Sequence, residues 1–413
     1  MTDNSNSVLV VGYNTRPLAT SLNKAGYVVY AVDFFGDLDL YPYIEDYIII
    51  VKELQGNYNS LKDKYSKYLV DFTLNLYRIY KDVKFLLIGS GLDDAYEGRK
   101  RILDEIKNFS TISVNNNLEI IKKSRNIEYL FEFLKFQGYK VPLYCSFEKF
   151  QLKRSILEFP FILKKKRSAG GVNVFKIEDE RNFNSQVKIL QEKMFIASDW
   201  VIQEYIEGIP VSCTVISDGK ECEIISINRQ IIGEKFLNSP KEFMYCGNIV
   251  PGGLLKDETR IISEISKFLT EELGLKGING FDFVLKDHYP YFMECNPRIP
   301  GSISASESVL DLNLVDLHIK SFLLNEWISI KKMIKSAMPK TFATKLIFFA
   351  PKVIEKNLLP EINNLEFVYD KPEPIKNILK GEPLCTVLYE ADNFSESFNG
   401  AKKIVNKINK IIG

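Results

Sequence analysis

The sequence predicts a mixed fold, α/β in its N-terminal part and α+β further along the chain. Short apolar segments alternate with helical segments over about the first 112 residues, a pattern typical of a parallel sheet with helices on its faces. Strands, glycine-rich loops and helices follow, and from about residue 340 two strands and a last helix predict a small α+β lobe. We therefore expect three domains, at 1–112, 113–330 and 331–413.

The composition of the 413 residues argues against several classes of protein. Lys and Arg total 54 and Asp and Glu total 53, so no overall charge attracts nucleic acid or an acidic membrane surface, and we expect neither as a partner. Six scattered cysteines without a C-x-x-C motif favour a reducing, cytoplasmic location. The polar first residues and the lack of a long apolar run predict no signal peptide and no transmembrane helix. Two histidines are too few for a His-rich zinc site.

The N-terminal strands are predicted at 7–14, 28–33, 47–52 and 84–90, with a helix at 17–27. The carboxyl ends of parallel strands form one edge of the sheet, and small ligands bind there. Polar and glycine residues gather at this edge: Gly12, Asn14, Arg16, Asp33, Gly89, Ser90 and Gly91. Turn chemistry explains most of them equally well, but we favour Arg16 as a ligand for an anionic substrate. The G-x-G-x-x-G pattern of dinucleotide sites is absent.

The segment 280–298 carries the clearest chemical signal. Two apolar, strand-like runs flank a polar turn, which predicts a β-hairpin. Asp282 lies on the first run, and Glu294 and Asn296 lie two residues apart on the second, so that both face one side. Two carboxylates and an amide oxygen suit Mg²⁺ that is shared with phosphate. Arg298 on the same side suits a bidentate grip on phosphate or carboxylate.

Two further segments are compatible with a phosphate and a purine base. Lys164 ends an apolar strand a few residues before Gly170 and Gly171, and a glycine-rich loop lets backbone N–H groups approach a phosphate. The extended segment 203–208 offers backbone groups to the edge of an adenine. Each signal is weak by itself, because lysines commonly end strands and 203–208 also suits a plain strand end.

The order and spacing of these segments resemble the ATP-grasp superfamily. The matching pieces, between about residues 115 and 330, are Gly138…Pro142, Pro160…Lys164, Gly170-Gly171, Gln203–Gly208, Gly280…Asp282 and Glu294–Arg298. The E-x-N-P-R ending is the most specific of them. The N-terminal unit is similar to the domain that usually precedes such a module. Segments 228–230, 245–248 and 380–387 resemble a poorly characterised branch, the carboxylase-related carboligases.

The resemblance implies a pre-ATP-grasp domain at 1–112, a two-lobed ATP-grasp module at 113–330 and a C-terminal lobe. The lobe at about 143–205 would cover ATP, bound with Mg²⁺ or Mn²⁺. The implied nucleotide contacts come from Lys164, Ser168, Gly170, Gly171, Gln203, Glu204, Tyr205, Ile206 and Glu207. Asp282, Glu294 and Asn296 become metal ligands, and Lys164 and Arg298 become catalytic residues at the transferring phosphoryl group.

Two positions depart from the family pattern. Ile127 stands where a second nucleotide-binding lysine is usual, and Lys122 or Lys123 could substitute one turn earlier. Pro210 falls near the usual ribose-binding acid, and Glu207 is the nearest carboxylate. Because the metal motif shows no comparable loss, we expect an active enzyme.

The resemblance implies ATP-dependent ligation as the reaction. A small-molecule carboxylate, of an amino acid or a cofactor precursor, is activated as an acyl-phosphate and attacked by an amine; a homodimer is a compatible assembly. The candidate residues of the acceptor site are Arg16, Gly89, Ser90, Arg229, Tyr245, Asn248, Gly301 and Ser302. A surface loop explains Arg229, Tyr245 and Asn248 about as well. Two alternatives stay open: a carboxylase-like enzyme that phosphorylates bicarbonate, and a nucleotide-binding regulatory protein without turnover.

Overall fold

The computed structural model describes residues 6–153, 156–168, 170–193 and 195–413. They form three sheets, and the predicted α/β and α+β architecture is confirmed. The strands are β1 (Ser7–Gly12), β2 (Val28–Asp33), β3 (Asp46–Ile49), β4 (Phe85–Ile88), β5 (Ile112–Ser113), β6 (Tyr144–Ser146), β7 (Phe161–Lys165), β8 (Val174–Ile177), β9 (Trp200–Glu204), β10 (Ile209–Asp218), β11 (Cys222–Ile232), β12 (Tyr245–Val250), β13 (Lys276–Lys286), β14 (Tyr289–Asn296), β15 (Phe342–Phe349), β16 (Val368–Tyr369) and β17 (Pro383–Ala391).

Helices stand between the strands along much of the chain. They are α1 (Arg16–Lys24), α2 (Ile50–Glu53), α3 (Tyr58–Leu61), α4 (Tyr65–Ile79), α5 (Tyr96–Ile106), α6 (Leu118–Ser124), α7 (Ile127–Phe136), α8 (Phe147–Leu152), α9 (Glu180–Gln191), α10 (Lys256–Leu273), α11 (Ile303–Leu310), α12 (Leu314–Lys320), α13 (Trp327–Ser336), α14 (Leu359–Asn363) and α15 (Phe394–Ile412). Across the described ranges, no helix combines the length and the apolar character that crossing a membrane requires.

The N-terminal sheet has five parallel strands in the order β3-β2-β1-β4-β5. All six residues of β1 are buried, because a parallel sheet is covered on both faces. At the end of β2, the Asp33 carboxylate accepts a hydrogen bond from Thr15 N at 2.6 Å. It also accepts hydrogen bonds from Phe35 N and Gly36 N, at 2.8 Å each. Asp33 therefore fixes the turns after β1 and β2, at the edge where ligand binding is expected.

The segment 47–52, predicted as one strand, is part strand and part helix. β3 ends at Ile49 and α2 begins at Ile50. Ile49 pairs with Asp33, the last residue of β2. Residues beyond Ile49 have no neighbouring strand to pair with, so the apolar run continues as a helix.

The eight-stranded antiparallel sheet has the order β14-β13-β10-β11-β12-β15-β17-β16. It therefore begins at the hairpin and continues into the C-terminal lobe, where α15 packs on β15 and β17. One sheet crosses the expected boundary at residue 330. The ranges of the three domains stay predictions.

The remaining four strands, in the order β6-β9-β7-β8, form a smaller lobe in the range expected for the nucleotide lid. Its core is aromatic, and the Phe150 ring lies 4.9 Å from Phe161 and 5.5 Å from Phe183. Leu163 and Ile202 belong to this core. Side chains alternate along a strand, so the neighbours of these two residues, Lys164 and Gln203, lie on the opposite face of the lobe.

His318 joins three parts of the structure through its two ring nitrogens. Nδ1 accepts a hydrogen bond from Ile278 N in β13 at 2.8 Å, and Nε2 lies 2.9 Å from Val114 O. These two bonds require the neutral imidazole with its proton on Nε2. Burial lowers the pKa of His318 to about 4, so the ring stays neutral at neutral pH.

We expect His318→Gln to lower the free energy of unfolding at pH 7 by about 2 kcal/mol, because it disturbs two buried hydrogen bonds. As the pH falls from 6.5 toward 4, the unfolded wild-type chain binds a proton at His318 that the folded chain does not. The wild type loses about 1.4 kcal/mol per pH unit from this group, so the difference between the free energies of unfolding of the two proteins narrows and changes sign at about pH 5. Urea denaturation at several pH values measures it. His288→Gln, at a side chain that is 77% exposed, is the control; equal pH dependence of wild type and His318→Gln would contradict the assignment.

Candidate active site

The β13–β14 hairpin brings the predicted metal ligands together. Asp282 pairs directly with Glu294, and Gly280 pairs with Asn296. Asp287 and His288 form the turn with φ of 48° and 64°, the positive values that a tight two-residue hairpin turn requires. The turn is therefore shorter than expected, and the residues that follow it already belong to β14.

The two carboxylates of the hairpin lie in different electrostatic surroundings. Asp282 accepts hydrogen bonds from Gln230 Nε2 at 2.9 Å and from Asn296 Nδ2 at 2.8 Å. Burial and the neighbouring Glu294 carboxylate raise the pKa of Asp282 to about 7. Burial also acts on Glu294, but the Lys164 and Arg125 cations outweigh it and lower the pKa of Glu294. The pair thus has a negative charge held at Glu294 and a proton-binding position at Asp282.

Lys164 reaches the hairpin from the lid lobe. Its Nζ lies 3.3 Å from Glu294 Oε2, and the side chain is only 12% exposed. The lysine predicted to contact phosphates and the carboxylate predicted to bind metal therefore face each other. The cavity that they line together with Arg125 measures about 10 Å³. This cavity is too small to hold a nucleotide.

The donor set fits a hard divalent cation. Two facing carboxylates with no cation between them are the arrangement that Mg²⁺ or Mn²⁺ relieves. Asn296 presents its amide N–H to Asp282, so its oxygen has to turn to become a ligand. Among the described residues, no group of three or more His, Cys, Asp and Glu side chains is arranged to hold a metal. The candidate site therefore depends on two carboxylates, the Asn296 amide and oxygens supplied by a phosphate.

Arg125 is the main site residue that the sequence analysis missed. Its guanidinium donates to Asp94 Oδ2 at 3.0 Å, to Ser168 O at 2.8 Å and to Cys295 O at 3.3 Å. Its side chain is 3% exposed. The N-terminal domain, the lid loop and the hairpin all meet at this one cation.

Arg125 also bears on the lysine that the family pattern has at the position of Ile127. Ile127 is buried with other apolar side chains, while Lys122 and Lys123 lie over the rings of Tyr96 and Tyr129. Substitution by either lysine stays a prediction, and Arg125 is a further candidate for the expected cation. The signal in the sequence was the arginine two residues before Ile127, at the end of the preceding helix.

The lid loop is held in place by backbone contacts. Gly171 has φ of 74°, and a Cβ at this position would lie 1.7 Å from Phe243 O, so only glycine fits. Next to it, Lys241 Nζ donates to Val172 O at 2.6 Å. Gly170 also has positive φ, 66°. Residue 169, inside the loop predicted to cover the phosphates, lies outside the described residues.

The predicted adenine hinge has one group that lacks a partner. Gln203 is 5% exposed, and its Oε1 is buried without a hydrogen bond in the described part of the chain. A buried orphan acceptor suits a donor such as an exocyclic amine. Glu204 is held by Leu143, whose N–H donates to its carboxylate at 3.0 Å. Ile206 is buried, Tyr205 is half-buried under Lys176, and Glu207 is exposed.

Arg298 connects the hairpin to the edge of the N-terminal sheet. Its Nε lies 2.7 Å from Asp93 Oδ1, and one terminal nitrogen donates to Ile299 O at 3.0 Å. Asp93 follows the predicted loop with Gly89 and Ser90, where Ser90 O accepts a hydrogen bond from Tyr13 N at 2.9 Å. Burial opposes ionisation of Asp93, but Arg298, Arg125 and Arg99 outweigh it and lower its pKa.

Four of the predicted acceptor-site residues lie in the same region as Arg298. They are Tyr245, Asn248, Gly301 and Ser302. Tyr245 Oη donates to Asn248 Oδ1, and a Cβ at Gly301 would lie 3.3 Å from Tyr245 Oη. Burial and Asp282 raise the pKa of Tyr245, whereas Arg298 lowers it. Ser302 is buried beside Thr214. Lys345, which the sequence analysis missed, donates to Gly301 O at 2.9 Å.

Two predicted residues point elsewhere. Arg229 lies between Asn228 and Gln230 on β11, and because side chains alternate, it faces away from Asp282 and lies over the Phe394 ring at 5.0 Å. Gln230, not Arg229, reaches the site. Arg16 is buried, and its Nε lies 2.6 Å from Asp370 Oδ1.

Comparison with known proteins agrees with the geometry. The family model described as "ATP-grasp domain" matches residues 128–302. An uncharacterised protein of Methanocaldococcus jannaschii is 30% identical over 381 residues, covering 92% of this chain and 87% of that protein. The D-alanine–D-alanine ligase of Thermotoga maritima is 24% identical over 206 residues, 46% of this chain and 65% of the ligase. The chain thus matches slightly less than two thirds of that ligase.

The solved structures include biotin carboxylase of Campylobacter jejuni in a β-γ-ATP complex, with a TM-score of 0.71. It is 14% identical, and the match covers 98% of this chain and 95% of that one. At this identity the likeness concerns the fold. The chain belongs to the ATP-grasp superfamily. The narrower carboligase branch stays a prediction.

We expect Arg125→Ala to lower the free energy of unfolding by about 3 kcal/mol, because it removes a buried guanidinium together with its ion pair to Asp94 and its hydrogen bonds to Ser168 O and Cys295 O. Urea denaturation followed by circular dichroism measures the change. Arg101→Ala is the matched control: its pair with Asp71 is exposed, 56% and 38% for the two side chains, and should contribute less than about 1 kcal/mol. Equal losses in the two variants would contradict the role given to Arg125.

Proposed function

We propose that the protein is an ATP- and Mg²⁺-dependent ligase that activates a carboxylate as an acyl-phosphate for attack by an amine. The observation that carries this proposal is the hairpin pair Asp282 and Glu294, with Asn296 beside it and Lys164 and Arg125 around it. Facing carboxylates and nearby cations suit a nucleotide with its metal: Asp282, Glu294 and Asn296 would hold the metal, which would supply positive charge to the phosphates, and Lys164 would meet part of the remaining phosphate charge.

In the proposed reaction, a carboxylate oxygen of the substrate attacks the γ-phosphorus of ATP. A P–O bond forms to the carboxylate while the bond to the β-phosphate oxygen breaks, and ADP leaves. The amine nitrogen then attacks the acyl carbon, phosphate leaves with the electron pair of the C–O bond, and the nitrogen gives up a proton. When bound, Mg²⁺ would neutralise phosphate charge.

The chain's own residues position and stabilise these groups. Lys164 would meet phosphate oxygens, Arg125 would hold the hairpin and the lid loop together through its bonds to Cys295 O and Ser168 O, and Gln203 would offer its free carbonyl to an amino group of the base. Arg298 is held at Nε by Asp93 and at one terminal nitrogen by Ile299 O. Its charge acts on Tyr245 and Asp282, so its other terminal nitrogen would meet the reacting carboxylate in that region. No histidine is required, since positioning and charge neutralisation account for catalysis of this kind.

The sequence relatives support ATP-grasp chemistry without separating the ligase from the carboxylase-like alternative. They include a D-alanine–D-alanine ligase, 24% identical over 206 residues, and a carbamoyl phosphate synthase large chain, 25% identical over 214 residues. The intact metal hairpin, with both carboxylates and the amide present, favours turnover over a purely regulatory role. The amine and the carboxylate themselves stay open at this level.

We expect Glu294→Gln to reduce ATP turnover by about 10²–10⁴-fold, because it removes one charged oxygen from the metal site. Release of ADP and phosphate, measured with Mg²⁺ present and absent, reports the effect. Glu361→Gln changes an exposed glutamate in the same way and should leave turnover unchanged. Circular dichroism checks that both variants fold, and full activity in Glu294→Gln would refute the metal assignment.

A second assay addresses the acceptor. We expect pooled amino acids and carboxylates, given with ATP and Mg²⁺, to stimulate ADP release well above the rate with ATP alone. Stimulation by bicarbonate without any amine would replace the ligase proposal with the carboxylase-like alternative. Nucleotide binding without stimulation by any pool would favour the regulatory alternative.

A further inference from the structure

A second charged cluster lies where the N-terminal sheet edge meets the C-terminal lobe. Asp37 and Asp39 belong to the loop after β2, and Asp370 follows β16. The backbone joins the two loops, because Asp39 accepts hydrogen bonds from Asp370 N at 3.0 Å and Lys371 N at 2.8 Å. In addition, Leu38 N donates to Lys371 O at 2.7 Å.

The cluster has more acids than bases. Its cations are Arg16, which lies 2.6 Å from Asp370 and 3.5 Å from Asp39, and Lys345, which faces Asp370 and Arg16. Asp33 also faces it but is satisfied by the hydrogen bonds that fix the sheet edge. With every carboxylate ionised, the cations do not balance the negative charge, and this imbalance lies in a largely buried place.

Asp37 is the group that remains without a partner. The residue is 8% exposed. It lies in the same loop as Asp39, and burial together with the nearby charges of Asp370, Asp33 and Asp39 raises the pKa of its carboxyl group, against the opposing effect of Arg16. In the described part of the chain, no donor is hydrogen-bonded to either of its oxygens, whereas Asp33, Asp39 and Asp370 all accept hydrogen bonds. A carboxylate that is buried, unpaired and beside other carboxylates is costly unless it gains a proton or a cation.

The backbone at Asp370 supports a built site. Its φ is 52°, a left-handed conformation that non-glycine residues adopt at a cost and that is concentrated at ligand sites. The hydrogen bond to Asp39 and the ion pair with Arg16 hold it there. The loop after β2 also lies at the carboxyl edge of a parallel sheet, which is the edge that binds ligands in such folds.

Lys345 links this cluster to the candidate active site. Its Nζ faces Asp370 on one side and donates to Gly301 O on the other. Gly301 lies against Tyr245, which in turn is near Asp282 and Arg298. The acidic cluster is therefore the next charged group beyond the acceptor region.

We propose that Asp37, with Asp39 and Asp370 beside it, binds an ammonium group of the ligase's substrate. This inference rests on the proposed function and narrows it: one substrate carries a protonated amine in addition to the group that reacts. Asp37 is the direct partner of the ammonium, and Arg16 holds Asp370 in position. Arg16 is thus part of the substrate region, though not as the anion ligand expected from the sequence.

Binding to the full-length protein, measured by isothermal titration calorimetry, tests the proposal. The probes are pairs that differ by one ammonium: L-lysine and L-norleucine, L-ornithine and L-norvaline, L-alanine and propionate, L-glutamate and glutarate. We expect at least one ammonium compound to bind tenfold or more tightly than its partner. We expect Asp37→Asn to remove that preference. Asp82→Asn, at an exposed aspartate on the opposite edge of the same sheet, should retain it.

Equal binding within every pair, or a preference that survives Asp37→Asn, would overturn the proposal. Asp37→Ser serves as a second variant if the circular dichroism of Asp37→Asn differs from that of the wild type. Each titration is done with and without Mg–ADP, so that the two proposals fail separately. Loss of nucleotide binding with an intact ammonium preference would count against the ligase alone, whereas nucleotide binding without any ammonium preference would count against the Asp37 site alone.

Discussion

The arrangement of the active centre follows from placing two carboxylates opposite each other on one hairpin. Asp282 and Glu294 are directly paired and half-buried, so water screens their repulsion less than it would at a surface. Cations and amide donors must come from elsewhere. Lys164 comes from the lid lobe, and Arg125 comes from the end of α6. Gln230 comes from β11, which β10 separates from β13 in the sheet. The hairpin thus determines which parts of the chain have to approach it.

Arg125 is a cation beside these carboxylates, and it joins three parts of the protein. One guanidinium pairs with Asp94 of the N-terminal domain, Cys295 O of the hairpin and Ser168 O of the lid loop. Arginine suits this position because its planar group offers five donors in fixed directions. Of these three contacts, only the one to Ser168 O lies in the lid lobe. Movement of that lobe would break this contact and leave Arg125 fixed to Asp94 and the hairpin.

The sequence predicts the local features well, because each depends on residues close together in the chain. The hairpin ligands follow from alternation along two strands, and the lid glycines from loop chemistry. Gln230 and Lys345 were missed because they depend on strand pairing over long distances: Lys345 pairs with Asn248, almost a hundred positions earlier. Arg125 was missed for a different reason. The family pattern assigns the usual lysine to Ile127, and Arg125 lies two residues before that position. The prediction of a strand at 47–52 was wrong for its last three residues, because the partner strand β2 ends at Asp33, opposite Ile49.

The distribution of charge between the hairpin and the C-terminal lobe would affect how a charged substrate is oriented. Lys164, Arg125 and Arg298 are concentrated at the hairpin, while Asp37, Asp39 and Asp370 lie at the far end, with Lys345 between. A substrate that carries an anionic and a cationic group is stabilised in one direction and repelled in the other. Electrostatic complementarity of this kind contributes more to orientation and selectivity than to overall affinity. If both proposals hold, this arrangement would direct the substrate carboxylate to the phosphoryl group, where attack requires it, and would keep the ammonium away from the acyl-phosphate.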